Sequence, residues 1–500
     1  MKQILSGKQM KSVDEYTINE LGIPSLVLME RAALSVFDLI TSNEPMDRTV
    51  FVLCGTGNNG ADGIALARML HIKGYQTSVG IIGSIDNASE EFKQQLDIAK
   101  KLDLNIVDSF ITADVIVDAI FGIGLSRNVE GEYQAVIETI NRANATVYAV
   151  DIPSGINADS GKIMGTAVKA DYTVTFGEEK IGTVMYPGFS YCGEVVVADI
   201  GYPIAAYKQC EDDVFHSLEK TDLAIIPNRP NYSHKGTFGK VLIVAGNADM
   251  SGAAAMCALA AYRTGVGMVR VLTVEQNREI IAKLVPEAII TCFDPTQFDK
   301  KIVDASIAWA DVIAIGPGMG KGTIQRMIIS ECLETNKDIV IDADGLNNIA
   351  SDNRLLEKLS THGNAIITPH IGEMSRLTLK SIDEIQNNML ETAIDFSYKY
   401  NHLNVVLKDA RTVIYSGQSA YINTSGNNGM ATAGSGDVLC GIITGLIGIG
   451  VELNDAAVLG PYIHGLAGDI AAQKLSQASM IATDIINQLK NIFNGEWRKL

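Results

Sequence analysis

The glycine-rich segment at residues 427–450 has the residue types that phosphoryl transfer needs, in the order NNGMATAGSGDVLCGIITGLIGIG. Gly434 and Gly436 allow positive φ and a close approach of a ligand, and the apolar residues after them predict a helix. A helix start leaves backbone N–H groups unpaired, and its dipole attracts anions. Asp437 falls in the first turn, where the dipole favours its ionised form, so it could take a proton from a hydroxyl beside a phosphate. The alternative is a glycine-rich turn before a buried helix, with Asp437 as a cap.

Composition limits the classes of function that the chain can have. The 500 residues suggest roughly two to four domains. A formal net charge of −18 opposes binding to nucleic acid or anionic membranes, so any phosphate must be bound locally. Seven cysteines without a C-x-x-C pair fit reduced thiols. The N-terminus has no apolar signal region and no apolar run is long enough to span a membrane, so we expect a soluble cytoplasmic protein without a nucleic-acid partner.

Strand-like and helical segments alternate through the first half, which predicts βαβ units and a parallel sheet with ligands beyond its carboxyl ends. The strand-like runs are Val50–Cys54, Thr77–Ile82, Val115–Ile120, Val147–Val150, Tyr172–Phe176 and Glu194–Ile200. Three polar, glycine-containing segments follow such runs: Cys54–Gly63 (CGTGNNGADG, leading into a helix at Ile64–Leu70), Asp118–Asn128 (DAIFGIGLSRN) and Asp151–Gly155 (DIPSG). A single strand-end aspartate is more often a cap, but three in one sheet favour a site. Oxygen atoms of Asn59, Asp118 and Ser154 could hold a hard cation.

These three segments resemble the N-terminal, YjeF-N-type epimerase domain of the NAD(P)H-hydrate repair enzymes, over residues 1–215. The resemblance implies a Rossmann-like three-layer sandwich that binds a hydrated nicotinamide nucleotide, with K⁺ held by Asn59, Asp118 and Ser154. It also implies that Asp151 is catalytic and moves the proton in epimerisation. The residues that it assigns to the substrate are Asn58, Asn59, Gly60, Ala61, Asp62, Gly122, Ile123, Gly124, Leu125, Ser126, Arg127, Asn128 and Tyr133.

A second α/β domain is predicted over residues 226–500, because periodicity fades and Pro227 and Pro230 interrupt the chain before it. Its strand-like runs are Val241–Ala245, Val269–Thr273, Val312–Ile315, Ile339–Ile341, Ala365–Ile367 and Val405–Leu407, and Ser251–Gly265 predicts an alanine-rich helix. Candidate site segments again follow strands: Gly316–Gly320 (GPGMG), Asp342–Asn347 (DADGLN), Thr368–Arg376 (TPHIGEMSR) and Lys408–Thr412 (KDART). A lone His370 would more often be structural, but Glu373 and Arg376 beside it favour a functional reading.

Together with SHKGTFG at residues 233–239, these segments resemble the YjeF-C dehydratase domain of the same repair enzymes, which is a ribokinase-like three-layer sandwich. Kinases of that superfamily usually have T-P-N-x-x-E where this chain has T-P-H-x-G-E, so the variant favours the dehydratase. The resemblance implies that Asp437 is the catalytic base. It assigns the substrate to Ala253, Gly318, His370, Ile371, Gly372, Glu373, Met374, Ser375 and Arg376. It assigns the phosphate donor to Lys408, Asp409, Ala410, Arg411, Thr412, Asn427, Asn428, Gly429, Met430, Ala431, Thr432, Ala433, Gly434, Ser435 and Gly436.

The two resemblances imply a bifunctional, homo-oligomeric enzyme that acts on hydrated NADH and NADPH. It would interconvert the R and S hydrates and dehydrate the S form, consuming ADP, or alternatively ATP, with Mg²⁺; the fusion of the two domains favours ADP. One alternative is a small-molecule kinase of the thiazole or pyrimidine type with an accessory N-terminal domain. Another is an N-terminal domain that only binds nucleotides.

Overall fold

The computed structural model describes residues 1–210 and 214–494. They form two compact units, one made of Gln3–Val214 and the other of the residues from Phe215 onward together with Met1–Lys2. The last six residues of the predicted second domain, 495–500, lie outside the described part of the chain. Within the described residues, no helix combines the length and apolar character that a membrane crossing requires.

The N-terminal unit is a parallel sheet flanked by helices. Its strands are β1 (Lys2–Leu5), β2 (Thr49–Cys54), β3 (Gln76–Ile81), β4 (Asn105–Val107), β5 (Val115–Ala119), β6 (Thr146–Val150), β7 (Tyr172–Phe176), β8 (Glu179–Lys180) and β9 (Glu194–Ala198). Its helices are α1 (Gly7–Asn19), α2 (Ser25–Asn43), α3 (Asn58–Lys73), α4 (Glu90–Lys101), α5 (Glu132–Arg142), α6 (Ile181–Val184) and α7 (Ile204–Tyr207). The main sheet has the order β4-β3-β2-β5-β6-β7-β9 with parallel pairings throughout, and β1 pairs with β8.

Alternate residues of the central strand β2 face two apolar clusters, because side chains alternate between the faces of a strand. Val50 and Val52 pack with α2 and α3, whereas Phe51 and Leu53 pack with α5. Burial on both faces explains why β2 is an unbroken apolar run in the sequence. The sheet is therefore covered by helices on both sides, which confirms the predicted three-layer arrangement.

Helix α3 begins at Asn58, earlier than the predicted start at Ile64. Its first turn lies so close to the preceding loop that a Cβ at Gly60 would come within 1.8 Å of the carbonyl oxygen of Gly55. Only glycine fits at position 60. The Asn58–Asn59 pair thus belongs to the start of a helix, where N–H groups attract anions, and not to a free loop.

The C-terminal unit has a larger mixed sheet. Its strands are β10 (Phe215–Ser217), β11 (Lys240–Val244), β12 (Met268–Val274), β13 (Ile289–Phe293), β14 (Val312–Ile315), β15 (Asp338–Ile341), β16 (Ala365–Ile367), β17 (Asn404–Leu407), β18 (Thr412–Ser416) and β19 (Ser419–Asn423). Its helices are α8 (Ser251–Thr264), α9 (Arg278–Leu284), α10 (Lys300–Trp309), α11 (Thr323–Leu333), α12 (Asp344–Ala350), α13 (Asn353–His362), α14 (Ile371–Thr378), α15 (Ile382–Asn387), α16 (Met389–Lys399), α17 (Ser435–Gly448), α18 (Leu453–Leu475) and α19 (Ala482–Phe493). The order is β13-β12-β11-β14-β15-β16-β17-β18-β19-β10, parallel as far as β17, with β18 antiparallel to both its neighbours.

Helices α8 and α17 pack closely because small residues face each other. A Cβ at Gly441 of α17 would lie 2.3 Å from the carbonyl oxygen of Cys257, and one at Gly445 would lie 2.7 Å from Thr264 Cβ. Both helices belong to the cluster that also contains Val241 and other buried residues of the sheet. This contact fixes α17, and with it the segment that begins the helix at Ser435.

We predict that Gly441→Val lowers the free energy of unfolding of the C-terminal unit by about 1–3 kcal/mol, because the added side chain overpacks the interface with α8. Urea-induced unfolding measures the change. The matched control is Gly252→Ala in the first turn of α8, where a Cβ meets nothing within 4 Å; it should be neutral or stabilising by up to about 1 kcal/mol. Equal effects of the two substitutions would contradict the close packing.

Candidate active sites

A cavity of about 700 Å³ opens in the N-terminal unit beyond the carboxyl ends of β2, β5 and β6. Parallel strands end at one edge of a sheet, so the polar segments that follow them meet there. The predicted residues that line the cavity are Asn58, Asn59, Asp62, Gly122, Ile123, Gly124, Leu125, Ser126, Arg127, Tyr133 and Asp151. Three predicted substrate residues are not in this lining: Ala61 is buried in the core, Gly60 lies against Gly55, and Asn128 is exposed.

Asp118 and Ser154 form a buried polar pair next to this cavity. Ser154 donates from Oγ to Asp118 Oδ1 at 2.6 Å and from its backbone N–H to Oδ2 at 2.7 Å. Burial raises the pKa of Asp118 to about 6, and no basic side chain of the described residues pairs with it. Asn59 packs against Gly122, where an added Cβ would lie 3.3 Å from Asn59 Oδ1. Asn59 Nδ2 is buried and has no hydrogen-bond partner among the described residues. A buried carboxylate, a hydroxyl and an amide that could turn its oxygen inward suit a hard cation.

Asp151 is held by a buried lysine that the sequence analysis did not identify. Lys180 Nζ donates to Asp151 Oδ1 at 2.6 Å, to Thr175 Oγ1 at 2.9 Å and to the Phe176 carbonyl at 2.7 Å. Lys180 is completely buried, so among the described residues these three acceptors compensate its ammonium. Asp151 itself has φ +67°, a left-handed conformation that an aspartate adopts at a cost. The pair thus fixes Asp151 in one orientation at the cavity wall.

Two more carboxyl groups line the same cavity. Asp14, on α1, accepts a hydrogen bond from the Tyr202 hydroxyl at 3.0 Å on Oδ1. Burial raises the pKa of Asp14, and burial together with repulsion from Asp151 raises that of Asp62 well above its ordinary value. Lys180 lies four residues after the end of β7, so a search for polar residues just after strands could have identified it. Asp14 and Tyr202 stand alone in the sequence and give no such signal.

In the C-terminal unit the structure joins three of the predicted segments by hydrogen bonds. The Gly320 N–H donates to Asp344 Oδ2 at 2.9 Å, which ties GPGMG to DADGLN. Arg376 Nε donates to Asn347 Oδ1 at 2.7 Å, which ties TPHIGEMSR to the same segment. Because these contacts lie beyond the carboxyl ends of β14, β15 and β16, they mark the ligand edge of this sheet as well.

Ala253 and Gly318, both predicted substrate residues, lie side by side. A Cβ at Gly318, which has φ +56°, would be 2.9 Å from Ala253 Cβ. Such a Cβ would also be 2.8 Å from Met250 Cβ, so Gly318 packs directly against the start of α8. Any side chain at position 318 would clash there and strain the turn.

His370 caps helix α14. The ring Nδ1 of His370 accepts a hydrogen bond from the Gly372 N–H at 2.9 Å. The backbone N–H of His370 donates to Glu373 Oε2 at 2.9 Å, so His370 and Glu373 form a reciprocal cap. Burial and the positive charges of Lys408 and Arg376 lower the pKa of His370. The ring is half in solvent, and its Nε2 lies 3.4 Å from Glu373 Oε1, so both ring nitrogens of His370 have partners within the cap.

Some predicted residues of α14 serve the fold. Met374 is completely buried, and Ile371 is nearly so. Ser375 Oγ donates to the Lys380 carbonyl at 2.6 Å. Of this stretch, His370, Gly372 and Arg376 remain accessible to a ligand.

A second lysine–aspartate pair lies under the first turn of α17. Lys408 Nζ donates to Asp342 Oδ1 at 2.6 Å, and a Cβ at Gly436 would be 3.2 Å from that Nζ and 3.6 Å from Asp342 Oδ2. Asp437 lies in the first turn of α17, where the helix dipole favours its ionised form. Burial and the charge of Asp342 act in the opposite direction and raise the pKa of Asp437 to about 7.

The start of α17 has the features of an anion-binding site. Gly434 takes φ +91° before the helix, and no side chain of the described residues caps it. The Ser435 N–H donates to the Thr432 carbonyl, while the N–H groups of Gly436 and Asp437 have no acceptor within the helix because of their place in its first turn. His464 Nε2 lies 3.3 Å from Ser435 Oγ, and burial lowers the pKa of His464 to about 4, so the ring is neutral.

The predicted donor-binding residues divide into two groups. Arg411 Nη1 donates to the Thr424 carbonyl at 2.7 Å, and Asn427 donates from Nδ2 to Asp469 Oδ1 at 2.9 Å and accepts from the Gly429 N–H at 3.0 Å, so these side chains brace the loop. The others are exposed or half-exposed: Asp409, Ala410, Thr412, Asn428, Met430, Ala431, Thr432 and Ala433. Asp469 was missed by the sequence analysis because it lies far along the chain on α18.

Comparison with known families agrees with this division into two units. The family model for the N-terminus of YjeF-related proteins matches residues 25–182, and the model described as NAD(P)H-hydrate dehydratase matches residues 241–491. The crystal structure of a ribokinase-like superfamily protein from Enterococcus faecalis is 29% identical, with a TM-score of 0.50, and covers 57% of this chain and 96% of its own. The fold is thus that of an α/β enzyme with a ribokinase-like C-terminal unit.

Relatives of nearly full length narrow the class further. The bifunctional NAD(P)H-hydrate repair enzyme of Thermofilum pendens is 36% identical over an alignment of 501 positions, which covers 96% of this chain and 94% of the relative. The enzyme of the same name from Moorella thermoacetica is 36% identical over an alignment of 518 positions, which covers 98% of this chain and 97% of the relative. The chain belongs to the family of bifunctional NAD(P)H-hydrate repair enzymes.

We predict that Lys180→Met lowers the free energy of unfolding of the N-terminal unit by about 3–5 kcal/mol, because Asp151 is left as a buried, unpaired charge. The double variant with Asp151→Asn should lose less than the sum of the two single losses, and a double-mutant cycle by urea unfolding measures the coupling. Lys73→Met, an exposed lysine on α3, is the control and should change stability by less than about 0.5 kcal/mol. Additive effects would mean that the pair does not act as a unit.

Proposed function

We propose that the N-terminal unit interconverts the R and S hydrates of NADH and NADPH and that the C-terminal unit dehydrates the S form with ADP as phosphate donor. The observation that carries the proposal is Asp437, a half-buried carboxyl with a pKa near neutrality at the uncapped start of α17. Membership of the repair-enzyme family supports the substrate class, and the ADP preference, the K⁺ and Mg²⁺ ions, a homo-oligomeric state and a cytoplasmic location are predictions of this proposal.

Dehydration removes a ring hydroxyl, and hydroxide is a poor leaving group. In the proposed reaction the hydroxyl passes its proton to Asp437 as its oxygen attacks the terminal phosphate of ADP, and AMP leaves. The phosphate ester then eliminates phosphate while the neighbouring ring carbon loses a proton, which restores the reduced ring. Asp437 must be ionised to start this sequence.

The start of α17 suits the developing charge on the transferring phosphoryl group. The N–H groups of Gly436 and Asp437 lie in the first turn of a 14-residue helix without an acceptor in that helix, and its dipole also favours negative charge there. Lys408 adds positive charge from beneath this turn, and its bond to Asp342 keeps it in place. A Mg²⁺ ion would neutralise the donor phosphates, and it is usually held by those phosphates with one or two carboxylates.

In the N-terminal unit Asp151 would exchange the proton of the epimerisation, oriented by Lys180. The residues that fit K⁺ are Asn59, Asp118 and Ser154, which offer an amide, a carboxylate and a hydroxyl without a protein cation. The ion would supply positive charge beside the anionic nucleotide. The helix start at Asn58–Asn59 would receive the phosphates.

The test uses purified protein and a mixture of R and S hydrates of NADH, with recovery of the dihydronicotinamide absorbance followed with ADP, with ATP and with neither. Complete recovery with ADP, faster than spontaneous epimerisation allows, is the expected result. Recovery that stops at the S fraction would refute the epimerase. A stable phosphorylated product in place of free phosphate would indicate a small-molecule kinase.

The dehydratase should gain activity as pH rises through about 7, because the ionised fraction of Asp437 grows tenfold per pH unit below its pKa of about 7 and levels off above it. The dependence of kcat/KM on pH measures this rise, which is the acidic limb of the profile. Asp437→Asn should lower kcat/KM by about 100-fold or more and abolish the limb. Asp395→Asn, an exposed aspartate of α16, should leave both unchanged; a limb that persists in Asp437→Asn would exclude Asp437 as the base.

A further inference from the structure

The cavity of the N-terminal unit contains two carboxyl groups in opposite settings. Asp151 is bonded to a buried ammonium at 2.6 Å. Asp14 has no basic partner among the described residues, and it accepts its hydrogen bond from the neutral hydroxyl of Tyr202 at 3.0 Å. Two carboxyl groups in one cavity, one paired with a cation and the other with a neutral hydroxyl, are a suitable arrangement for a base and an acid.

The chemistry of the substrate requires two such groups. Hydration of a dihydronicotinamide protonates the enamine carbon and places water on the ring carbon next to nitrogen, so the hydrate is a hemiaminal. Inversion at that carbon can proceed by loss of the hydroxyl and addition of water from the other face. One group must give a proton to the departing hydroxyl, and another must take a proton from the entering water.

We propose that Asp14 is the second catalytic residue of the epimerisation, the partner of Asp151 in proton transfer at the hydroxyl-bearing carbon. This inference rests on the proposed function of the N-terminal unit. The carbon–oxygen bond breaks as the nitrogen lone pair forms a carbon–nitrogen double bond, and the hydroxyl leaves as water with the proton of Asp14. Solvent water then adds to the same carbon and gives a proton to Asp151. One water leaves and one enters, and in the reverse direction the two residues exchange roles.

Asp62 is the other unassigned carboxyl of the cavity, and it suits the role less well. Burial and repulsion from both Asp151 and Asp14 raise the pKa of Asp62 well above its ordinary value, which works against the ionised form that one direction of the reaction needs. Asp62 has no hydrogen-bond partner among the described residues, whereas the Tyr202 hydroxyl holds Oδ1 of Asp14 and Oδ2 accepts no hydrogen bond from a described residue. An orientated carboxyl with exchangeable protonation is what both directions of the reaction need.

The protonation of Asp14 depends on its whole surroundings. Burial raises its pKa, the hydrogen bond from Tyr202 lowers it, and the charges of other carboxylates raise it. The titratable groups that line the cavity with it are Lys11, Glu15, Asp62, Glu91, Arg127, Tyr133, Asp151, Lys180 and Tyr202. Tyr202→Phe removes the one contact that stabilises the carboxylate, so it should raise the pKa of Asp14. The reaction that uses Asp14 as the acid would then persist to higher pH.

The experiment follows conversion of pure S hydrate of NADH to the R form by chromatography, without ADP so that the dehydratase is idle, after subtraction of the spontaneous rate. Asp14→Asn should lower kcat about 100-fold or more with KM changed less than about twofold. Tyr202→Phe should keep activity and move the alkaline limb of the kcat/KM profile to higher pH. Glu20→Gln, an exposed carboxylate at the end of the same helix, is the matched control and should behave as the unaltered protein. In ¹⁸O-enriched water each inversion should bring one solvent oxygen into the product.

Each result bears on one step of the argument. Asp14→Asn with near-normal kcat, or with its loss entirely in KM, would overturn the catalytic role, as would loss of activity in Asp62→Asn alone. An unmoved alkaline limb in Tyr202→Phe, or retention of the original oxygen, would also overturn it. If the unaltered protein does not interconvert the hydrates at all, the proposed function of the N-terminal unit fails. If it does and Asp14→Asn does equally well, only the role of Asp14 fails.

Discussion

A buried lysine bonded to an aspartate that follows a parallel strand underlies both candidate sites. Lys180 holds Asp151 and Lys408 holds Asp342, each at 2.6 Å. Removing a charge from water is costly, and it is tolerated only when the partner and the remaining hydrogen-bond acceptors are in place. Each pair therefore requires the strand end, the following loop and a second element to be assembled together. The geometry of each site therefore follows from the assembly that compensates the buried charges.

The paired aspartate also governs its neighbours. In the C-terminal unit the charge of Asp342 contributes to raising the pKa of Asp437, and in the N-terminal unit Asp151 does the same for Asp14 and Asp62. In each unit one aspartate is thus paired with a lysine, while the pKa of a neighbouring carboxyl group is raised. Different surroundings can in this way give different roles to chemically identical side chains.

Much of the architecture could be predicted from sequence, because central strands buried on both faces are uninterrupted apolar runs with polar segments at their ends. Each apolar run of the first half coincides with a strand, and its predicted ends differ from the observed ends by at most two residues. The strands β1, β4, β8, β10, β13, β18 and β19 were missed because they are short, partly exposed, or paired antiparallel outside the repeating pattern. The partners of the site aspartates were missed for another reason. Tyr202 and Asp14 are 188 residues apart, and only the folded chain brings them together. The place of Asp437 in its helix could be predicted from the local sequence, whereas its burial and the charge of Asp342, which raise its pKa, depend on the folded chain.

The uncapped start of α17 has a consequence for how the substrates reach the protein. Its attraction for anions comes from N–H dipoles, which act over a few ångströms, and the lysine beneath it is already paired. The chain as a whole carries a formal charge of −18. A dinucleotide with several phosphates is therefore repelled at long range and held only on contact. Capture would become faster as ionic strength rises, which is the reverse of the behaviour of proteins that collect nucleotides with exposed basic patches.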